Sequence, residues 1–264
     1  MSAIAFTSRA KRLRDLADKA WSYLIHLIAH PTRMPAALLA VSRGAHLGET
    51  LKLSDRHDWL SHAQIRTVID VGAHTGQFSS ALRQLLPHAR IYAFEPIADC
   101  HEKLERRFSE DARFHSFNTA LGERDGEIAF HTSSFPKASS PLPMTSLHRE
   151  AFPWSADTSI STVPVRRLDS YAGELELEPN VMLKVDVQGY EQHVLSGADE
   201  ILAKTSYVLV ELSFAPLYDG QADFHDIYSY LVNRGFSYAG SWDQLESPLD
   251  HTIIQADALF VRSS

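Results

Sequence analysis

From residue 66 onward, short apolar runs of strand character alternate with segments whose apolar positions recur at helical spacing. Residues 67–71 (TVIDV) form the first run, and Phe78, Ala81, Leu82, Leu85 and Leu86 then share one helical face. Residues 90–94 predict a second strand, 96–108 a second helix and 113–119 a third strand. Two more strands are expected at 181–187 and 207–212, separated by one helix that carries Val194, Leu195, Ala198, Ile201 and Leu202. A helix around 224–232 leads to two final strands near 236–239 and 258–261. Such alternation predicts a mainly parallel α/β sheet with helices on both faces.

Two regions depart from this rhythm. In residues 1–60, Leu13, Leu16, Ala17, Ala20, Trp21, Leu24, Ile25 and Ile28 form an amphipathic stripe, with Arg12, Arg14, Asp15, Asp18 and Lys19 opposite. Pro31 should end that helix. Residues 1–60 are therefore expected to be an N-terminal helical extension, and 61–264 the main domain. The helix either covers part of that domain or makes a peripheral contact with an anionic membrane surface or a partner helix. The second departure lies between extended segments at 127–131 and 162–167. The intervening loop, 133–160, is rich in Ser and Pro yet carries Phe135, Met144, Phe152 and Trp154. Its length and its aromatic residues predict a folded, lid-like insertion.

Charge and cysteine usage narrow the classes. The chain holds 25 Lys and Arg against 33 Asp and Glu, a formal net charge of -8. That balance opposes non-specific binding to nucleic acid. The single cysteine, Cys100, falls in helical register with Ile97, Leu104 and Phe108 and is expected in the core. One cysteine excludes an internal disulfide framework and a Cys-rich zinc site. Residues 9–19 are too densely charged for a secretory signal. The apolar run after Trp21 is broken by His26, His30, Pro31 and Pro35, far short of the ~20 residues that span a bilayer. A cytoplasmic location is expected.

The first strand runs into Asp70-Val71-Gly72-Ala73-His74-Thr75-Gly76, which opens a helix. Gly72 and Gly76 would let a nucleotide-like ligand approach the backbone. Glu95, with Pro96 after it, ends the second strand 23 residues beyond Gly72, where a carboxylate can accept hydrogen bonds from both ribose hydroxyls. Glu95 could instead be a helix-start carboxylate. A pyrophosphate turn reads G-x-G-x-x-G, whereas this turn lacks the middle glycine and has Asp70 two residues before Gly72. A carboxylate there opposes a pyrophosphate and suits an amino group and a sulfonium, so S-adenosylmethionine is preferred to NAD.

The blocks VIDVGAHTGQFSSAL, YAFEP, FNTALGERDGEIAFH, VPVRRLDSY and LKVDVQGYEQHVLSGADEIL together resemble the FkbM-type methyltransferases, over residues 67–211. The resemblance implies a class I methyltransferase (Rossmann-like) fold with a seven-stranded sheet whose last strand runs antiparallel. It also implies O-methylation of a hydroxyl on a sugar, glycolipid or secondary metabolite. Asp70, Gly72, Ala73, His74, Gly76, Glu95, Pro96 and Asn118 form the expected cofactor set. Within it Asp70, Gly72 and Gly76 shape the methionine pocket, Glu95 holds the ribose and Asn118 lies beside the adenine, unless it is a turn residue. His74 stands where the family more often has Asn, and Gln188 where Glu is frequent.

Chemistry is expected where the fourth strand ends, at Lys184-Val185-Asp186-Val187-Gln188-Gly189. Lys184 and Asp186 are two apart and should share a strand face. Asp186 is the candidate general base, or ligand of a divalent ion, and Lys184 would hold it ionised or orient the acceptor. The alternative is an ion pair that only fixes the strand end. Glu211, at the end of the fifth strand, has the same topological location. A divalent metal is compatible with the sequence but not indicated, since no His, Asp or Glu spacing around His131 or His193 is diagnostic. Trp154, Phe152, Phe135 and Met144 either receive a small-molecule or glycan acceptor or tuck into a minor core. The rivals are an NAD-dependent oxidoreductase and a catalytically degenerate binding module.

Overall fold

The computed structural model describes residues 59–263, and in them the expected alternation folds into two sheets. The stripe expected at residues 13–28 lies outside the described residues. A short helix, α1 (Trp59–His62), leads into β1 (Thr67–Val71), α2 (Gln77–Leu85), β2 (Arg90–Phe94), α3 (Ala98–Arg107) and β3 (Phe114–Phe117). Next come β4 (Ala120–Leu121), β5 (Gly126–Ser133), α4 (Ser146–Ala151) and β6 (Thr158–Arg166). The chain then returns to the large sheet with β7 (Val181–Val185), α5 (Glu191–Ser196), α6 (Asp199–Lys204), β8 (Thr205–Ser213), α7 (Phe224–Val232), β9 (Phe236–Glu246) and β10 (Ile253–Arg262).

The seven strands stand in the order β3-β2-β1-β7-β8-β10-β9. The pairs from β3 to β8 are parallel, and β10 is antiparallel to both its neighbours, as the resemblance implied. Every residue of β1 and β7 is buried, because both faces of the sheet are covered. On one face Ile69, Val71, Leu183, Val185 and Val210 pack with Val194 of α5 and Leu231 of α7. On the other, Val68, Ile91, Met182 and Leu209 pack with Leu60 of α1 and Leu82 of α2. Strand order reverses between β1 and β7, which leaves a crevice at their carboxyl ends.

Three expected elements differ. The single helix around 194–202 is two, α5 and α6, parted at Gly197. A Cβ on Gly197 would lie 2.0 Å from the Gly122 carbonyl oxygen, so the chain narrows there. The break is silent in the apolar pattern because Val194, Leu195, Ala198, Ile201 and Leu202 all still join the core. The last two strands are also longer than expected. Their register shifts, between Ile253 and Gln255 and again between Asp257 and Ala258, interrupt the alternation that would have marked them.

The insertion is a folded unit. β5 and β6 pair antiparallel from Gly126 opposite Val165 to Ser133 opposite Thr158, and β4 adds a parallel strand to β6. Thr145 caps α4 by accepting a hydrogen bond from the His148 N–H. Ala138 and Met144 form a minor core with Leu217, Tyr218 and Ile254. Cys100 is buried at 3% exposure, and burial raises its thiol to about 11. Among the described residues no helix is long and apolar enough to cross a membrane.

Candidate active site

In-register pairing of β1 with β7 sets Asp70 opposite Lys184. Period-two alternation puts Asp70, Lys184 and Glu211 on the face already occupied by Val68, Met182 and Leu209. The Lys184 ammonium lies 3.1 Å from Asp70 Oδ1 and 3.5 Å from Asp186 Oδ2, and it donates to the Gly72 carbonyl at 3.1 Å. Burial alone would lower its pKa, but Asp70 and then Asp186 outweigh that and hold Lys184 above the ordinary lysine value. Asp70 is fully buried, and its Oδ2 accepts from Ser79 Oγ at 2.6 Å. Its carboxylate therefore joins β1 to α2 and anchors Lys184. It lies beneath the cleft lining, so any part it takes in shaping a methionine pocket runs through Lys184 and the Gly72 turn.

A cleft of about 270 Å³ opens over the ends of β1, β2, β7 and β8. Gly72, Ala73, His74, Glu95 and Pro96 line one part of it, and Lys184, Asp186 and Glu211 another. Glu95 is 4% exposed. Its Oε2 accepts from the His74 N–H and its Oε1 from the Ile97 N–H, both at 2.8 Å. The helix-start role is thus realised through Ile97, and each oxygen keeps a lone pair for the cleft. Burial raises Glu95 to about 7, more than the two N–H donors and Lys184 lower it. His74 is pushed below the usual histidine value by burial.

The glycines answer to the protein before any ligand. Gly72 has φ +80°, and a Cβ there would sit 1.9 Å from the Asp186 carbonyl oxygen. Gly76 does not line the cleft; a Cβ would strike Leu104 at 2.6 Å and Phe108 at 2.8 Å, so this glycine lets α2 start against α3. Asn118 is the turn residue of the two alternatives. Its Nδ2 donates to the carbonyls of Glu95 at 2.9 Å and Pro96 at 3.1 Å, and the neighbouring Thr119 lines the cleft in its place.

Asp186 lies one residue past the end of β7, with its side chain 38% exposed, while Lys184 is inside the strand. Glu211, left open by the sequence, lies in the cleft. Burial, and after it the charges of Asp186, Glu191 and Asp257, push it well above the usual carboxylate range. The sequence reading did not single out Glu191, whose Oε1 accepts from the N–H groups of Val187 at 2.9 Å and Gly189 at 3.1 Å. A buried carboxylate at a helix start beside glycine was the available signal. From the insertion, Pro136, Lys137, Ser139 and Pro141 line the cleft. The four residues for which an acceptor surface and a minor core were both open do not. Met144 and Phe152 belong to the minor core, and Phe135 and Trp154 are exposed. Among the described residues no group of three or more His, Cys, Asp or Glu could hold a metal ion. His193 instead pairs with Glu123 at 3.2 Å.

Comparison with known proteins decides the family. The model described as "Methyltransferase FkbM domain" matches residues 70–238. The chain belongs to the FkbM methyltransferases. The match contains both sides of the cleft, from Asp70 through Glu211, and displaces the NAD-dependent reading. It makes the chain an S-adenosylmethionine-dependent methyltransferase. The 2-O-methyltransferase NoeI of Sinorhizobium fredii is 29% identical over 170 residues, 62% of this chain and 70% of its own length. Methyltransferase 1 of Beauveria bassiana is 25% identical over 194 residues, 65% of this chain and 72% of its own. Among solved structures, Aeropyrum pernix fibrillarin in complex with S-adenosyl-L-methionine is similar at 12% identity, over 74% of this chain and 66% of its own, with a TM-score of 0.40.

Proposed function

We propose that this FkbM methyltransferase methylates a hydroxyl of a small acceptor, a sugar, glycolipid or secondary metabolite, and that Asp186 takes the proton the hydroxyl gives up. The reading rests on one juxtaposition: a partly exposed Asp186 beside the Lys184 ammonium, in the same cleft as the buried Glu95 carboxylate. The residues fit the donor. Glu95 offers two spare lone pairs for the ribose diol, and the His74 N–H that fixes Glu95 belongs to the turn that carries Gly72 and Ala73. S-adenosylmethionine, when bound, supplies a methyl group already activated by its sulfonium. An alcohol is a poor nucleophile until its proton leaves, so a base within reach contributes about 10²–10⁴-fold. Lys184 holds Asp186 in place while itself anchored to Asp70. The acceptor would enter past Pro136, Lys137 and Ser139, which wall the cleft from the insertion. The similarity to a 2-O-methyltransferase supports an oxygen acceptor.

The test is transfer from methyl-labelled S-adenosylmethionine to a panel of methyl glycosides, followed by mass spectrometry. Asp186→Asn is expected to bind S-adenosylhomocysteine as wild type does, by calorimetry, and to lose about 100-fold or more in turnover. Wild-type turnover by Asp186→Asn would remove Asp186 from the reaction.

A further inference from the structure

The loop after β7 passes through Gln188 at φ 58°, a left-handed conformation that a non-glycine residue holds only when its surroundings fix it. Those surroundings are present. Glu191 ties down the N–H groups on both sides of Gln188, and the Gln188 carbonyl accepts from Ser140 Oγ of the insertion at 2.7 Å. Held in this way, the Gln188 side chain stands between two carboxylates. Its Nε2 donates to Asp186 Oδ1 and to Glu211 Oε2, each at 3.0 Å. A primary amide has two N–H donors, and both are used.

The orientation of the amide follows from its other end. Tyr218 is 1% exposed, and its single hydroxyl proton is shared between Ala138 O at 3.0 Å and Gln188 Oε1 at 3.1 Å. A flipped amide would press its oxygen against both carboxylates and turn its N–H groups away from them.

We propose that Gln188 is a positioning residue, whose amide joins Asp186 and Glu211 into one hydrogen-bonded unit and whose direction Tyr218 fixes. The proposal rests on the reading of Asp186 given above and adds how its carboxylate is aimed. Asp186 then has one oxygen on the Gln188 amide and the other facing Lys184, which leaves its cleft-facing lone pairs in a set direction. Glu211 receives a second amide donor, Gln255 Nε2 at 2.9 Å. The charged groups around it are Asp186, Glu191 and Asp257, which favour its protonated form, and Lys184, which opposes it. A Glu at 188 would place a third carboxylate at this junction, and the amide avoids that repulsion.

The experiment is a ¹³C NMR titration of carboxyl-labelled full-length protein, with the Glu211 signal assigned by its absence in Glu211→Gln. Removing the amide in Gln188→Leu takes a donor from ionised Glu211, so its midpoint is expected to rise by about one pH unit. Tyr218→Phe, which removes only the hydroxyl that directs the amide, is expected to move it in the same direction by less. S-adenosylhomocysteine affinity should stay near wild type in both. If Gln188→Leu fails to fold by circular dichroism, Tyr218→Phe decides. A Glu211 midpoint unchanged from wild type in the folded variants overturns the proposal. A shifted midpoint together with full turnover by Asp186→Asn would leave the clamp standing and remove only the assignment of the base.

Discussion

Glu95 titrates at about 7 against an ordinary 4.5, because burial raises it more than the N–H groups of Ile97 and His74 and the Lys184 ammonium lower it. On the role proposed for Glu95, ribose hydroxyls donate to the ionised carboxylate, so cofactor affinity is expected to fall as the pH drops through 7. A group of that pKa is about 90% ionised at pH 8 and about 10% at pH 6. The loss between those pH values is then about tenfold in affinity, or ~1.4 kcal/mol. Stability moves in the opposite direction. A carboxyl whose folded pKa lies above its unfolded one favours folding while protonated, so that contribution is complete below about 4.5 and is lost as the pH rises through 7. The shift corresponds to about 3 kcal/mol. Weaker binding at pH 6 therefore cannot be mistaken for acid unfolding at this residue. Calorimetric titration of S-adenosylhomocysteine at pH 6, 7 and 8, in wild type and Glu95→Gln, is the assay. Wild type should show the tenfold fall, and Glu95→Gln should bind weakly and almost independently of pH. A flat wild-type profile, or the same slope in Glu95→Gln, would refute the reasoning.

Lys184→Met leaves Asp70 buried with only the Ser79 hydroxyl, and urea denaturation should report a loss of about 3–5 kcal/mol. Adding Asp70→Asn should restore most of it, and a loss below ~1 kcal/mol in the single variant would mean that the pair matters little. Gly72→Ala combines a positive φ with a Cβ 1.9 Å from the Asp186 carbonyl oxygen, so it should lower the melting temperature by the equivalent of about 2 kcal/mol and weaken S-adenosylhomocysteine binding. An unchanged melting temperature would show that the loop after β7 yields freely.

The layered fold was legible because buried parallel strands such as TVIDV and VMLKV read as mostly apolar runs, each broken by a single charged residue, and the helices between them keep one apolar face. The break at Gly197 was not, since the close contact that requires a glycine there is with the carbonyl of Gly122, 75 positions away in the chain. The lining of the cleft was legible at the strand ends, where Gly72, Glu95, Lys184 and Asp186 all lie. It was less legible wherever a residue bonds a neighbour instead. Asp70, Gly76 and Asn118 each serve a contact made by another element, and spacing along the sequence carries no sign of the partner. For a related reason the apolar residues of the insertion stayed open between an acceptor surface and a minor core. Composition shows that Met144 and Phe152 are apolar but not which surface covers them, and that surface comes from Leu217, Tyr218 and Ile254.

The two walls of the cleft have separate foundations. The wall holding Gly72 and Glu95 grows out of the strands of the large sheet, while the stretch from Pro136 to Pro141 hangs on the small cluster around Met144 and Tyr218. On the function proposed above, changes in the second wall would retailor what enters while leaving the Glu95 carboxylate in place for the methyl donor. A lineage built on this plan can diversify its products one loop at a time, keeping a single engine.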